Sequence, residues 1–196
     1  MGLGEAVVAA VSPHPAVRHI ELVGSRAEGR ATRWSDWDFG VQTSDFAALA
    51  EALPELLTPL EPLVQQWDRL SSEQCWMLIL SGPVKVDLIF PEVTHAKEEP
   101  WKAGADTLAG IDDHFWDWML WLRGKEAAGK SDLVATELDK LFGHLLAPLG
   151  AERVPLSVAD AVTVYRAARD RAERRFDTVV SRRVELEVAP ALANGR

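Results

Sequence analysis

The stretch from Gly24 to Asp38, GSRAEGRATRWSDWD, decides how this chain reads. It follows Val17 to Val23 (VRHIELV), a strand with Ile20 and Leu22 on one face that stops at Gly24. Gly/Ser punctuation and small residues without alternation make Gly24 to Ser35 a loop leading into a short helix. From Asp36 to Gln42 (DWDFGVQ) the pattern alternates cleanly. Trp37, Phe39 and Val41 point one way, and Asp36, Asp38, Gly40 and Gln42 the other. Side chains two apart on a strand leave the same face, so Asp36 and Asp38 converge on one point. Two hard oxygen donors held in this way suit Mg²⁺, which takes few protein carboxylates and completes its octahedron with water and substrate phosphates. Gly24 and Ser25 add backbone N–H groups and a hydroxyl at a helix start, where an anion is favoured.

Working outward, Glu5 to Val11 reads as a short amphipathic helix ended by Ser12-Pro13-His14-Pro15. Asp45 to Leu57 is helical, with Phe46, Leu49, Ala50, Leu53 and Leu56 at helical spacing and Ser44 as N-cap. Leu63 to Trp67, Trp76 to Leu80 and Val84 to Phe90 are strands, the last two joined by a Ser81-Gly82-Pro83 turn. Within VKVDLIF, Asp87 shares a face with Lys85 and Ile89. A lone carboxylate inside an apolar strand is costly without a partner or a metal, and a salt bridge from Lys85 to Asp87 or Asp38 is the plain explanation for that lysine. The polar, proline-bounded Pro91 to Pro100 marks a domain boundary. Beyond it lie helices over Asp112 to Ala128, Ser131 to Leu146, and Ser157 to about Val184, with a frayed tail from Ala189 to Arg196.

Composition narrows the function. The 196 residues are 47% hydrophobic and 26% charged, which suits a packed globular chain. No apolar run approaches the roughly 18 residues of a membrane span, and the first residues lack a basic stretch of the kind that opens a secretory signal, so a cytoplasmic location without membrane attachment is expected. The single Cys75 excludes an internal disulfide and a multi-cysteine zinc site, and a buried inert thiol is expected there. Residues 1–100 carry seven basic and fifteen acidic side chains, a formal charge of −8, whereas residues 101–196 carry fourteen and fifteen. Phosphate neutralisation needs clustered Lys and Arg, so no stable nucleic-acid partner is expected. A cationic substrate or divalent metal fits the acidic half instead.

Gly24-Ser25, Asp36-x-Asp38 and the later strand residue Asp87 together resemble the nucleotidyltransferase superfamily typified by DNA polymerase beta and the aminoglycoside nucleotidyltransferases. The resemblance covers Val17 to Phe90. It implies an α/β (α+β) architecture, with a mixed sheet flanked by helices over residues 1–92 and a helical bundle for acceptor binding or dimerisation over residues 101–188. It further implies two Mg²⁺ ions, ATP or another NTP as donor, and transfer of a nucleoside monophosphate, AMP in the preferred reading, to a hydroxyl of a small molecule such as an aminoglycoside-like cation. Gly24 and Ser25 would hold the triphosphate, Asp36 and Asp38 both metals, and Asp87 one metal or the proton of the attacking hydroxyl. The family loop often reads G-S-x-A-R-G, and Glu28 stands here in place of that arginine, leaving Arg26, Arg30 or Arg33 to supply the cation. Relatives often assemble the site across a homodimer. A minimal-nucleotidyltransferase antitoxin acting on a partner toxin, and a binding protein with a decayed site, are the competing readings; the helical second half weighs against the first, and retention of all three acids against the second.

The helical half offers further acids. Asp113 and Asp117 share a helix face and could serve as a general base, but acids complementing the dipole in a first helical turn are the simpler reading of Asp112, Asp113 and Asp117. Trp116, Trp118 and Trp121 read as packing between the two halves, and the arginines from Arg166 to Arg183 as a solvated face. His14, His19, His95 and His144 show no metal spacing.

Overall fold

The computed structural model describes residues 2–96 and 98–193, which form two compact units, Met1–Glu98 and Glu99–Arg196. In the first unit, helix α1 (Leu3–Val11) leads into β1 (Val17–Val23), the short α2 (Gly24–Ala27), β2 (Trp37–Thr43) and α3 (Phe46–Leu56). A 3₁₀ turn at Thr58–Leu60 connects to β3 (Val64–Trp67), β4 (Glu73–Leu80) and β5 (Val84–Thr94). The five strands form one sheet in the order β1-β2-β5-β4-β3. Only β2 and β5 run parallel, and the other neighbours are antiparallel. This is the mixed sheet flanked by helices that the resemblance implies.

Strand alternation sorts the sheet into two faces. Phe39 and Val41 of β2, Trp76, Leu78 and Leu80 of β4, and Val86, Leu88 and Phe90 of β5 pack with Val7 and Val11 of α1 and Leu49 and Leu53 of α3 in one apolar core. Residues of the other parity, Asp38, Lys85 and Asp87 among them, therefore leave the opposite face. The alternation read from DWDFGVQ is the one the sheet uses.

Two local features differ from the sequence reading. Ser44 does not cap α3. Its hydroxyl donates to the Ala16 carbonyl at 3.2 Å, while Asp45 is the N-cap and its carboxylate accepts from the Ala48 amide at 3.1 Å. The expected linker from Pro91 begins as strand, because β5 runs on to Thr94, which pairs with Glu73. Phe90 pairs with Gln74, so Pro91 to Val93 are spliced into the strand as a bulge, where a residue without an N–H is tolerated.

The second unit contains α4 (Leu108–Ala127), α5 (Ser131–Leu141) continuing as a π turn over Phe142–Leu146, α6 (Val158–Phe176) and α7 (Arg183–Ala193). Ser157 caps α6 by accepting from the Asp160 amide at 3.1 Å. The single long helix expected to Val184 is instead two. Asp177 takes a left-handed conformation at φ 51° and ends α6, an arrangement that closes helix C-termini. The tail expected to fray is helical through Ala193, and the last three positions lie outside the described residues. Among the described residues no helix is long and apolar enough to cross a membrane.

Candidate active site

Parallel pairing of β2 with β5 sets the site. Asp38 lies directly opposite Asp87 in that register, and Asp36 stands one residue before β2. One carboxylate oxygen from each of Asp36, Asp38 and Asp87 lies within 4.8 Å of the other two, and all three residues are half-buried. Two unit charges about 5 Å apart repel by about 3 kcal/mol at an effective dielectric of 20. Three carboxylates gathered so closely could hold a divalent cation, and hard oxygen donors are the chemistry that Mg²⁺ selects.

Gly24 ends β1 against this cluster. Its φ is +68°, and a Cβ added there would stand 2.6 Å from Asp38 Oδ2. Both the left-handed backbone and the contact demand glycine. The Gly-Ser turn is thus pressed onto one of the three carboxylates, with Ser25 half-buried beside it.

The loop between α2 and β2 is held from within. Arg26 Nε donates to the Asp36 carbonyl at 2.9 Å and Nη2 donates to the Ser35 carbonyl at 2.6 Å, while the guanidinium lies 4.2 Å above the Trp37 ring. These contacts fix the backbone that carries Asp36. Arg30 pairs with Glu28 on the surface, and Arg33 lies over the Trp34 ring. The guanidinium groups of Arg26 and Arg30, which the sequence reading assigned to a triphosphate, are both engaged inside the loop. Glu28 likewise has a partner within its own turn.

Lys85 answers the question of the buried strand carboxylate. Its Nζ lies 2.6 Å from Asp87 Oδ1, with the two side chains 7% and 13% exposed. They are two apart on β5 and so share a face, as the sequence pattern indicated.

A second acidic cluster lies in the helical unit, and there the sequence reading needs correction. Helix α4 begins at Leu108, which places Asp112 and Asp113 past the first turn, and Asp112 and Asp117 are buried. Asp112 Oδ1 accepts from Trp116 Nε1 at 3.2 Å and from the Tyr165 hydroxyl, and Arg169 Nη1 stands 3.8 Å away. Burial nevertheless raises the Asp112 pKa to about 6, against the lowering effect of those partners. Burial, and then the charge of Asp112, raises Asp113 to about 7. Arg169, expected on a solvated face, is only 4% exposed and pairs with Glu185 of α7. Trp116 is fully buried within this unit, edge-on to Phe115 and to Tyr165 at centroid distances of 5.0 and 6.0 Å. The signal was present in the spacings of four, Asp112 to Trp116 and Tyr165 to Arg169, which stack side chains on one helix face.

No protein-family model matches the chain, and no curated protein matches it by sequence. Among solved structures it is similar to the structure of a GLD-2/RNP-8 complex, with 17% identity over 71% of this chain and 49% of that one at a TM-score of 0.40. It is also similar to the crystal structure of an aminoglycoside 6-adenyltransferase from Bacillus subtilis, with 9% identity over 98% of this chain and 97% of that one at a TM-score of 0.35. The chain spans about half the length of the GLD-2/RNP-8 chain it matches. The chemistry open to the site rests on its own side chains.

Proposed function

We propose that the chain is a divalent-metal-dependent nucleotidyltransferase that transfers a nucleoside monophosphate, AMP from ATP in the preferred case, to a hydroxyl of a small cationic acceptor, an aminoglycoside-like antibiotic among the candidates. The observation that carries this reading is the convergence of Asp36, Asp38 and Asp87 within 4.8 Å, on the sheet face opposite the α1/α3 core. When bound, two Mg²⁺ ions lower the pKa of the attacking hydroxyl and neutralise charge on the leaving pyrophosphate.

In this proposal Asp36 and Asp38 hold both ions, and Asp87 holds one of them or takes the hydroxyl proton. Gly24 brings its backbone against Asp38 without a side chain in the way, and the Gly24-Ser25 turn offers N–H groups and a hydroxyl to the triphosphate. Arg26 keeps the Asp36 end of the loop in place through the Ser35 and Asp36 carbonyls. The oxygen of the acceptor forms a bond to the α-phosphorus, the bond to pyrophosphate breaks, and the hydroxyl proton leaves to a carboxylate or to water. The charge of −8 over residues 1–100 favours a cationic acceptor by raising its local concentration and its rate of capture.

The test is pyrophosphate release from ATP and from each other NTP, in Mg²⁺, against a panel of aminoglycosides and other hydroxylated antibiotics. Release that requires protein, metal and one small acceptor supports the proposal. Absence of release with every acceptor, together with label passing from the nucleotide to a co-purified protein, would move the function to protein modification of the antitoxin kind.

A further inference from the structure

We propose that Lys85 is a resident counter-ion of the carboxylate triad that weakens the binding of a divalent cation there. This rests on the reading of Asp36, Asp38 and Asp87 as a metal centre. The ammonium lies 2.6 Å from Asp87 Oδ1, and both side chains are nearly enclosed, at 7% and 13% exposure. The strand itself makes the pair, since residues 85 and 87 leave the same face of β5 and Asp87 lies opposite Asp38 on β2.

Asp36, Asp38 and Asp87 gather three formal negative charges, and Lys85 sets a positive one against Asp87. The lysine does two things to Asp87, and they act in opposite directions on a cation. It orients the carboxylate, which helps, and it engages one of the two oxygens with a positive charge, which hinders. The electrostatic effect is taken as the larger, because the ammonium sits 2.6 Å from one of the two oxygens that Asp87 can offer a cation. A unit charge in a partly desolvated site acts strongly on a divalent ion because the interaction scales with the product of the charges. A surface lysine could not have this effect, because an exposed charge is screened and weakly held.

The probe is Mn²⁺ alone, measured by electron paramagnetic resonance and by calorimetry on the full chain without nucleotide, so that the readout does not depend on turnover. Lys85→Met and Lys85→Gln remove the charge and keep much of the stem, while Lys85→Arg keeps the charge. The expected result is Mn²⁺ binding at least about tenfold tighter in Lys85→Met and Lys85→Gln, with Lys85→Arg within about threefold of the parent. Unchanged or weaker binding in the neutral variants would overturn the proposal. So would failure of both neutral variants to fold while Lys85→Arg folds, because the lysine would then be a structural ion pair and nothing more. Asp36→Asn separates this outcome from the underlying assignment: if it binds Mn²⁺ as well as the parent does, the triad is not the metal centre. If it loses Mn²⁺ while the neutral Lys85 variants behave like the parent, the metal centre stands and only the role of Lys85 is refuted.

Discussion

Replacing Gly24 with alanine should damage the site far more than it damages the fold, and Gly29 supplies the control. Both glycines have left-handed backbones, at φ +68° and +67°. An alanine in that conformation costs about 1–2 kcal/mol, so each substitution should lower the melting temperature by roughly 4–8 °C per kcal/mol for a unit of about one hundred residues. The surroundings of the two positions differ. A Cβ at Gly29 meets nothing within 4 Å, whereas one at Gly24 stands 2.6 Å from Asp38 Oδ2. Ordinary contact begins at 3.4 Å, so that carboxylate oxygen or the turn has to move by roughly 0.8 Å. A displacement approaching 1 Å at a reacting centre is worth about 10²-fold in rate. Gly24→Ala and Gly29→Ala should therefore lose similar amounts of thermal stability, while only Gly24→Ala loses about 100-fold in turnover and binds Mn²⁺ more weakly. Melting curves and Mn²⁺ titrations on both variants test this without knowledge of the acceptor. Equal Mn²⁺ affinity in the two would refute the idea that the Gly24 turn sets the position of Asp38.

Asp36→Asn and Asp38→Asn should each abolish metal-dependent turnover with little change in melting temperature, since an amide gives a hard cation much less charge; turnover retained in both would remove the site. Tyr165→Phe takes a donor from the buried Asp112 carboxylate and should destabilise the chain by about 1–3 kcal/mol, read as a lower urea midpoint. Asp112 and Asp113, raised to about 6 and about 7, keep protons in the folded chain that the unfolded chain has released above about pH 4. Their contribution to stability is full below about pH 4 and is lost as pH rises to 7. Asp113→Asn should accordingly flatten this pH dependence and leave the chain more stable than the parent at pH 8, which urea midpoints at pH 5 and pH 8 would show.

Strand parity made the Asp36–Asp38 pair legible, and the resemblance to the nucleotidyltransferases supplied the mixed sheet and the place of Asp87 beside them. In DWDFGVQ the apolar residues and the acids fall on alternate positions, and once β2 and β5 pair, the same parity leaves Asp38 and Asp87 on the face away from the core. What could not be read were departures from regular pattern. Pro91 looks like a strand breaker, yet β5 absorbs it in a bulge and resumes pairing at Thr94. Ser44 and Asp45 are both good capping residues, and the choice depends on the Ala16 carbonyl, a long-range partner that takes the Ser44 hydroxyl. The engagement of Arg26 with the Ser35 and Asp36 carbonyls is likewise set by the path of the loop, which composition does not specify.

The helical unit was harder because a polar side chain there says little about exposure until its partners are known. Arg169 alternates with acids in the sequence and reads as solvated, but Glu185 on α7 and Asp112 on α4 turn it inward. The strand acids have a different environment. Asp112 is surrounded by donors that arrive with the fold, Tyr165, Trp116 and Arg169, and a buried carboxylate so supplied is part of the packing. Asp36, Asp38 and Asp87 are instead brought within 4.8 Å of one another, and this concentrates negative charge. Lys85 offsets part of that repulsion at Asp87, and a divalent cation would offset more of it. The same acid types thus stand in different company in the two units: Asp112 is packed among Tyr165, Trp116 and Arg169, whereas Asp36, Asp38 and Asp87 are gathered on one another, and that mutual approach marks them as candidate ligands.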